Sequence, residues 1–237
     1  MVKEALEYLV GLGMREPYRE TIHGLEYSDQ ELTVIRPPQA ASLGFERLQG
    51  FADYVLLSRD ELPWSKLMVH VASSSEVRLL NALDATYRDR ETFAFAELGC
   101  PYFAFGRWMP IEDFTISVQT QFAPNDDHRR LLEIAGNVSA DEITTSADDG
   151  VSQTVSVKAG LTLLKRKEIA NPFHLAPYRT FAEVCQPLSP FILRARKNGG
   201  SAELALFECD NGAWQIVAVA NIKEWLAKHI KEMPILG

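Results

Sequence analysis

The sequence lacks any long hydrophobic run. No segment approaches the roughly 18 consecutive apolar residues that a membrane-spanning helix needs, and the apolar amino-terminal stretch Met1–Leu12 is interrupted by Lys3, Glu4 and Glu7. These charges distinguish the stretch from the uninterrupted apolar segment of a signal peptide. We therefore expect a soluble cytoplasmic protein that has no membrane partner.

Cysteines and catalytic motifs are also scarce. The three cysteines, Cys100, Cys185 and Cys209, share no metal-ligand spacing, which favours a reducing compartment over a disulfide framework. The sequence has no Gly-x-Ser-x-Gly elbow, no phosphate-binding Gly-x-x-x-x-Gly-Lys loop, no Gly-x-Gly-x-x-Gly, no His-Glu-x-x-His and no Cys-x-x-Cys. We interpret His70 and His174 as structural histidines. The expectation is a protein that is not an enzyme and that holds no metal and no cofactor.

The net charge is acidic, but the charges are unevenly distributed. The formal net charge is −8 at pH 7, which disfavours binding of duplex nucleic acid over the whole surface. Asn125–Gly150 holds seven acidic and two basic residues, whereas Val151–Gly200 holds eight basic and two acidic residues. Three interpretations stay open: two ordinary solvated faces, a polyanion site in the basic segment, or head-to-tail self-association of the two segments.

Helical spacing of apolar residues marks five segments. The predicted helices are Val2–Leu12, Phe45–Leu57, Pro110–Phe122, Asp126–Ala135 and a carboxy-terminal helix from Trp214. The pattern of the third segment fits a helix or a strand, and the proline at its first position favours a helix. Asn125 is expected to cap the fourth helix, because its side chain can accept a hydrogen bond from the first helical turn.

Alternating apolar residues and turn signals predict strands. Glu31–Arg36 is a predicted strand, and Leu67–Ala72, Glu76–Ala82 and Thr92–Leu98 are predicted to form an antiparallel meander. The polar segment Met14–Ser28 is interpreted as an irregular connector.

Two turn signals each predict a β-hairpin. Asp148-Asp149-Gly150 lies between Glu142–Ser146 and the alternating strand Val151–Lys158. Asn198-Gly199-Gly200 lies between two further strands, Phe191–Lys197 and Ala202–Cys209. Four prolines punctuate the intervening segment and predict strands that are short or lie at sheet edges; they are Pro172, Pro177, Pro187 and Pro190.

These elements predict an α+β fold with a mainly antiparallel sheet, long β-hairpins, an N-terminal helix and a C-terminal helix. Residues 1–27 are predicted to form an N-terminal helical arm and connector. Residues 28–237 are predicted to form a single α+β domain.

The stretch from Asn137 to Trp214 carries the most specific sequence pattern. Its landmarks are Gly136-Asn137-Val138, Asp149-Gly150-Val151-Ser152, Asn171-Pro172, Leu175-Ala176-Pro177-Tyr178-Arg179-Thr180-Phe181, Gln186-Pro187, Phe191, Arg194 and Phe207-Glu208. This pattern resembles a family of prophage-encoded proteins of unknown function, typified by YfdQ. The resemblance implies a viral accessory protein of the phage early region, in the cytoplasm of a bacterial host, and it implies no catalytic residues.

Basic residues of the predicted strands and a loop are the candidate anion-binding residues: Lys158, Lys165, Lys167, Arg179, Arg194 and Arg196. Lys165 and Lys167 share one face of their strand, and Arg194 and Arg196 share one face of theirs. If the two hairpins are neighbours, these side chains form one positive stripe that can contact several phosphates. The alternative is that they pair with acidic residues of an adjacent subunit.

Tyr102, Phe105 and Trp108 are the candidate base-stacking residues, because they belong to an aromatic cluster in a turn-rich segment. The alternative is that these aromatic side chains close one end of the core.

The leading functional hypothesis is a non-enzymatic phage or prophage early accessory protein. It self-associates as a homo-oligomer and binds an anionic partner, a single-stranded nucleic acid or a nucleotide, with a role in phage recombination or replication. One alternative is an anti-defence protein that sequesters a host defence protein or a nucleotide signal. The other is a structural shell or filament protein.

Overall fold

The computed structural model describes residues 2–13, 19–22, 25–28, 39–57, 60–85, 89–99, 102–138, 153–159 and 163–237. The chain divides into two compact units, residues 1–40 and 41–237. The predicted arm, residues 1–27, lies within the first unit. No helix in the described part of the chain is long and apolar enough to span a membrane.

The first unit contains a helix and a β-hairpin. Helix α1 spans Val2–Gly13, and the antiparallel strands β1 and β2 span Arg19–Ile22 and Leu25–Ser28. The interpretation of Met14–Ser28 as an irregular connector is therefore wrong. The two strands pair through their backbones, a pairing that does not require the apolar alternation on which the sequence analysis relied.

The second unit has four α-helices, one 3-10 helix (Trp64–Lys66) and twelve strands among its described residues. The helices are α2 (Leu48–Leu57), α3 (Ile111–Gln121), α4 (Asp126–Asn137) and α5 (Trp214–His229). The strands are β3 (Leu43–Phe45), β4 (Leu67–Ser73), β5 (Glu76–Asn81), β6 (Thr92–Glu97), β7 (Met109–Pro110), β8 (Phe122–Ala123), β9 (Gln153–Ala159), β10 (Leu163–Ile169), β11 (Phe173–Pro177), β12 (Ser189–Asn198), β13 (Ser201–Glu208) and β14 (Ile235–Leu236). The predicted α+β class, with helices at both ends of the chain, is confirmed.

Sheet A contains the predicted meander. Its strand order is β14-β4-β5-β6-β3, with antiparallel pairing of β4, β5 and β6 and parallel pairing of the two edge strands. Every second residue of β4 is buried, namely Leu67, Val69 and Val71. Helices α2 and α5 pack on this face through apolar residues that include Phe51 and Leu226, and together they form one core. Sheet A thereby positions α5 beside the β4–β5 turn.

Sheet B is built around the second predicted hairpin. Its strand order is β7-β13-β12-β11-β8, and all pairs are antiparallel. Helices α3 and α4 cover its inner face and share a second core with residues such as Phe173 and Phe191. The predicted cap of α4 is confirmed, since the Asn125 side chain accepts a hydrogen bond from the His128 N–H at 2.7 Å.

The predictions for the two hairpins have different outcomes. The Asn198-Gly199-Gly200 hairpin is confirmed: β12 and β13 pair over their full facing length, and Gly199 has a φ of +62°. The predicted turn at Asp148-Asp149-Gly150 lies outside the described residues, as does the predicted strand Glu31–Arg36. Strand β9 pairs with β10 in a separate two-stranded sheet.

The proline argument fails for β12. This strand has ten residues and lies between β11 and β13, so it is neither short nor at an edge. Pro190 is only its second residue, and the eight residues after it remain free to donate to neighbouring strands.

Candidate functional site

The turn between β4 and β5 presents three consecutive serines. The Ser73 Oγ accepts a hydrogen bond from the Ser75 N–H at 3.1 Å and lies 3.3 Å from the Ser75 Oγ. The Thr180 hydroxyl donates to the Ser74 carbonyl at 2.6 Å and anchors the turn. Whichever of the two outer hydroxyls donates to the other, one hydroxyl hydrogen is left without an acceptor among the described residues.

Helix α5 runs beside this turn and forms the opposite wall. Its buried residues Ala218, Ile222 and Leu226 face the core of sheet A. Residues three and four positions apart share a helix face, which places Ile216, Ala220 and Lys223 together on the side toward the serine turn. The Lys223 ammonium donates to the Gly237 backbone oxygen at 2.8 Å.

The first turn of α5 contributes few free donors. The N–H groups of Gln215 and Ile216 already donate to the carbonyls of Gly212 and Ala213, each within 3.2 Å. Lys223 and the serine hydroxyls are therefore the groups best placed to bind an anion.

Trp214 and Tyr102 give the site two aromatic walls. The Arg179 guanidinium carbon lies 3.9 Å from the centroid of the Trp214 ring, so a buried cation supports one face of the indole. Tyr102 is 58% exposed and lies at the rim.

Together these segments enclose an open cavity of about 790 Å³. This volume is within the usual range for small-molecule sites, about 300–1,000 Å³. Lys223 is the charged side chain among the described residues that line the cavity, and most of the remaining wall is apolar. Such a cavity can hold a molecule with a planar group and a negatively charged group.

A buried polar network lies behind Trp214. The Arg179 guanidinium donates to Glu208 and to the hydroxyl of Ser189, which in turn donates to Asp210. Burial lowers the pKa of the Arg179 guanidinium below its ordinary value, while the hydrogen bond and the charge of Glu208 oppose that shift. The network fixes the guanidinium under the indole of Trp214.

The predicted anion-binding residues do not line this cavity. Lys158, Lys165 and Lys167 lie on β9 and β10, as expected for strand residues, but their side chains are outside the described part of the structure. Arg179 is 2% exposed and holds Trp214 in place.

Arg194 and Arg196 share the outer face of β12, as the alternation predicts. The Arg196 guanidinium pairs with Glu203 of the same chain at 2.7 Å, and hydrogen bonds from Asn198 and Arg196 lower the pKa of the Glu203 carboxyl. The lysine-bearing strands β9 and β10 belong to a different sheet from these arginines.

The three predicted stacking residues lie in three different environments. Tyr102 lines the cavity. Phe105 stacks on Phe191 with ring centroids 5.0 Å apart and packs against the core of sheet B, a placement that favours the core-closing alternative. Trp108 lies 4.5 Å below the Arg196 guanidinium on the outer face.

Similarity to known proteins does not assign a function to the cavity. Comparison with protein-family models, curated proteins and solved structures finds no match. The resemblance to the YfdQ-like prophage family therefore stays a sequence-based prediction, and the site rests on its own geometry.

Sequence reasoning missed Ser73, Ser75, Trp214 and Lys223 as site residues. The available signals were the serine triplet between two predicted strands and the spacing of Ile216 and Lys223 on a predicted helix. Neither signal indicates a binding site by itself, because serines are common in turns and a lysine on a helix is usually solvated.

Proposed function

We propose that this protein is a non-enzymatic binding protein that holds an anionic partner, a nucleotide or a single-stranded nucleic acid, in the cavity between α5 and the β4–β5 turn. The observation that supports this most directly is that Trp214, Tyr102 and the charged side chain of Lys223 are together among the described residues that line a cavity of about 790 Å³. Phosphates are bound by ammonium groups and hydroxyls, and bases by aromatic faces.

The polar groups of the cavity favour binding over catalysis. The described partners of the Ser73 and Ser75 hydroxyls are each other and a backbone N–H, and Lys223 contacts a backbone oxygen. A nucleophilic serine needs a base within hydrogen-bond reach, and neither hydroxyl has one among its described partners. We therefore propose a role in sequestering or delivering the ligand.

The biological setting is proposed from the sequence resemblance alone. A phage early accessory protein that binds nucleotides or single strands would serve recombination or replication. The anti-defence alternative, sequestration of a nucleotide signal, uses the same cavity and is favoured by its small-molecule size.

Lys223→Met is expected to weaken binding of ATP, or of a short single-stranded oligonucleotide, by about tenfold or more, because a hydrogen bond to a charged group is lost. Isothermal titration calorimetry at two salt concentrations measures the effect, and the variant should show a weaker salt dependence than the parent.

Lys228→Met is the matched control. Lys228 is on the same helix, pairs with Glu224 at 2.7 Å and is 67% exposed, and it lies outside the cavity. Equal losses in the two variants, or no binding of either ligand by the parent protein, would contradict the proposed site.

We further propose that the protein self-associates through α1. The apolar residues of this helix occupy one face at helical spacing and are exposed, among them Leu6 at 57% and Leu9 at 63%. The charged residues of the helix, Lys3, Glu4 and Glu7, lie outside this apolar face, so two copies can pack apolar face against apolar face. A second copy of α1 is the proposed partner of this face, and the shell or filament alternative would use the same contact.

Leu6→Glu is expected to dissociate the homo-oligomer, because a charge would be buried in the α1 contact. Sedimentation velocity measures the change. Tyr8→Glu is the control, since Tyr8 is exposed on another face of α1. A parent protein that is monomeric at about tens of micromolar would rule out the contact.

A further inference from the structure

We infer that the ligand of the cavity is a nucleotide whose base stacks on Trp214 and whose phosphate is bound by Lys223 and the Ser73–Ser75 turn. This inference rests on the proposed function and specifies the chemistry of its ligand.

The platform for the base is the Trp214 indole. One face of the ring is covered by the Arg179 guanidinium at 3.9 Å, and Arg179 is buried. Trp214 nevertheless lines the cavity and is half-buried, and we infer that the ring face opposite Arg179 receives the ligand. Because the network of Arg179 with Glu208 and Ser189 fixes the ring in advance, little conformational entropy is lost when a base stacks on it.

Hydrogen-bonding groups beside the platform match the edge of a base. Gln215 follows Trp214 and lines the cavity, and its amide offers a donor and an acceptor side by side. Nucleobases present complementary donors and acceptors on one edge, and proteins that bind unpaired bases read that edge while stacking on the ring.

The anionic end lies at a distance from the platform. Lys223 is nine residues after Trp214 on α5, which at the rise of an α-helix is roughly 13 Å along the axis. Ser73 and Ser75, whose hydroxyl oxygens lie 3.3 Å apart, line the same cavity. A ligand that engages both ends must carry its planar and anionic groups at opposite ends, as a nucleotide does.

The first test compares ligands that share parts of a nucleotide. The four 5′-mononucleotides, ribose 5-phosphate and adenosine are titrated into the full chain by calorimetry, with tryptophan fluorescence as a second readout. At least one mononucleotide is expected to bind roughly 5- to 150-fold more tightly than ribose 5-phosphate, the contribution of one stacked base.

The outcomes separate this inference from the proposed function. Equal affinity for ribose 5-phosphate and every mononucleotide would overturn the stacked base and leave anion binding in place. Binding of single-stranded oligonucleotides without binding of any mononucleotide would also overturn the inference alone. If neither kind of ligand binds, the proposed function falls together with it.

A second test places a charge at the cavity without disturbing the core. Ile216 lines the cavity and is 76% exposed, whereas the adjacent Val217 is 49% exposed and is not part of the lining. Ile216→Glu is expected to weaken mononucleotide binding at least tenfold through repulsion of the phosphate, and Val217→Glu is expected to leave it nearly unchanged. Equal effects of the two substitutions would overturn the site.

Trp214→Leu tests directly whether a base stacks on the Trp214 indole. This variant is expected to bind mononucleotide and ribose 5-phosphate equally, while Trp214→Phe keeps most of the difference. If Trp214→Leu fails to fold, the Ile216 and Val217 pair still decides the site. Trp108→Leu is the control for loss of a tryptophan that also stacks on an arginine, and it should leave binding intact.

Discussion

Glu208→Gln is expected to reduce the free energy of unfolding by about 3 kcal/mol, because it removes the negative charge that compensates a buried guanidinium. The Arg179 side chain is 3% exposed, while the Glu208 side chain is 28% exposed. Burial already lowers the pKa of Arg179, and Glu208 is the main group that opposes this effect. The Nε of Arg179 also has no hydrogen-bond partner among the described residues, so the cation depends strongly on Glu208.

The matched control is Glu203→Gln on the same strand. Glu203 also pairs with an arginine that stacks on a tryptophan, but Arg196 is 46% exposed. The Glu203 side chain is 15% exposed, but its arginine keeps contact with solvent. A pair whose cation is solvated contributes about 0–1 kcal/mol, so this variant should stay close to the parent protein. Thermal unfolding measures the stability of both variants. The loss in the free energy of unfolding that is expected for Glu208→Gln corresponds to a fall in Tm of roughly 6–12 °C. Equal losses would show that burial of Arg179 does not control the energy of the pair.

Local patterns predicted the parts of the fold that depend on local geometry. The meander of β4, β5 and β6 follows from alternating apolar residues and the polar segments between them. The second hairpin follows from Asn198-Gly199-Gly200, where Gly199 supplies the positive φ that the turn requires. The cap of α4 follows from Asn125, whose side chain competes well for the first helical N–H groups.

Pairing between distant segments could not be predicted in this way. Strand β3 pairs in parallel with β6, and the two-residue strand β14 pairs in parallel with β4. Such short strands have no periodicity of their own, and their backbone pairing is decided by the sheet they meet. The hairpin of β1 and β2 is local, and it was missed because its four-residue strands show no apolar alternation.

The sequence predicted the chemistry of a partner but not the place where it would bind, and the anionic partner stays a prediction. An anionic partner and a role for Tyr102 were expected from composition and from the aromatic cluster. The cavity, however, is assembled from the β4–β5 turn, Tyr102, α5 and Gly237, which are far apart in the sequence. The burial of Arg179 beneath Trp214 could not be predicted, because a basic residue in a proline-rich loop gives no local sign that it is buried.

Gln186→Glu is expected to reduce the free energy of unfolding by about 3 kcal/mol at neutral pH, although the two side chains have nearly the same shape. The Gln186 oxygen accepts from the Arg179 and Thr180 N–H groups at 3.1 and 3.3 Å. Its amide nitrogen lies 3.0–3.4 Å from the carbonyl oxygens of Thr180, Phe181 and Val184. A carboxylate keeps the first two contacts, but it places a negative oxygen against three acceptors that then lose their donor.

The pH dependence distinguishes this mechanism from a simple packing defect. Because the three carbonyls disfavour the ionised form, the introduced carboxyl should have a folded-state pKa above the unfolded value of about 4.3. The folded variant then binds its proton more tightly than the unfolded chain does, so the loss relative to the parent should shrink as the pH falls through that folded-state pKa toward 4.3. Urea denaturation at pH 7 and pH 4 measures the loss in the free energy of unfolding relative to the parent protein. Gln215→Glu is the exposed control, and it is expected to change the free energy of unfolding by less than about 0.5 kcal/mol. A loss that is the same at both pH values would mean that the amide nitrogen of Gln186 does not hold the loop carrying Arg179 and Thr180. The support of both Trp214 and the serine turn would then have to come from other contacts.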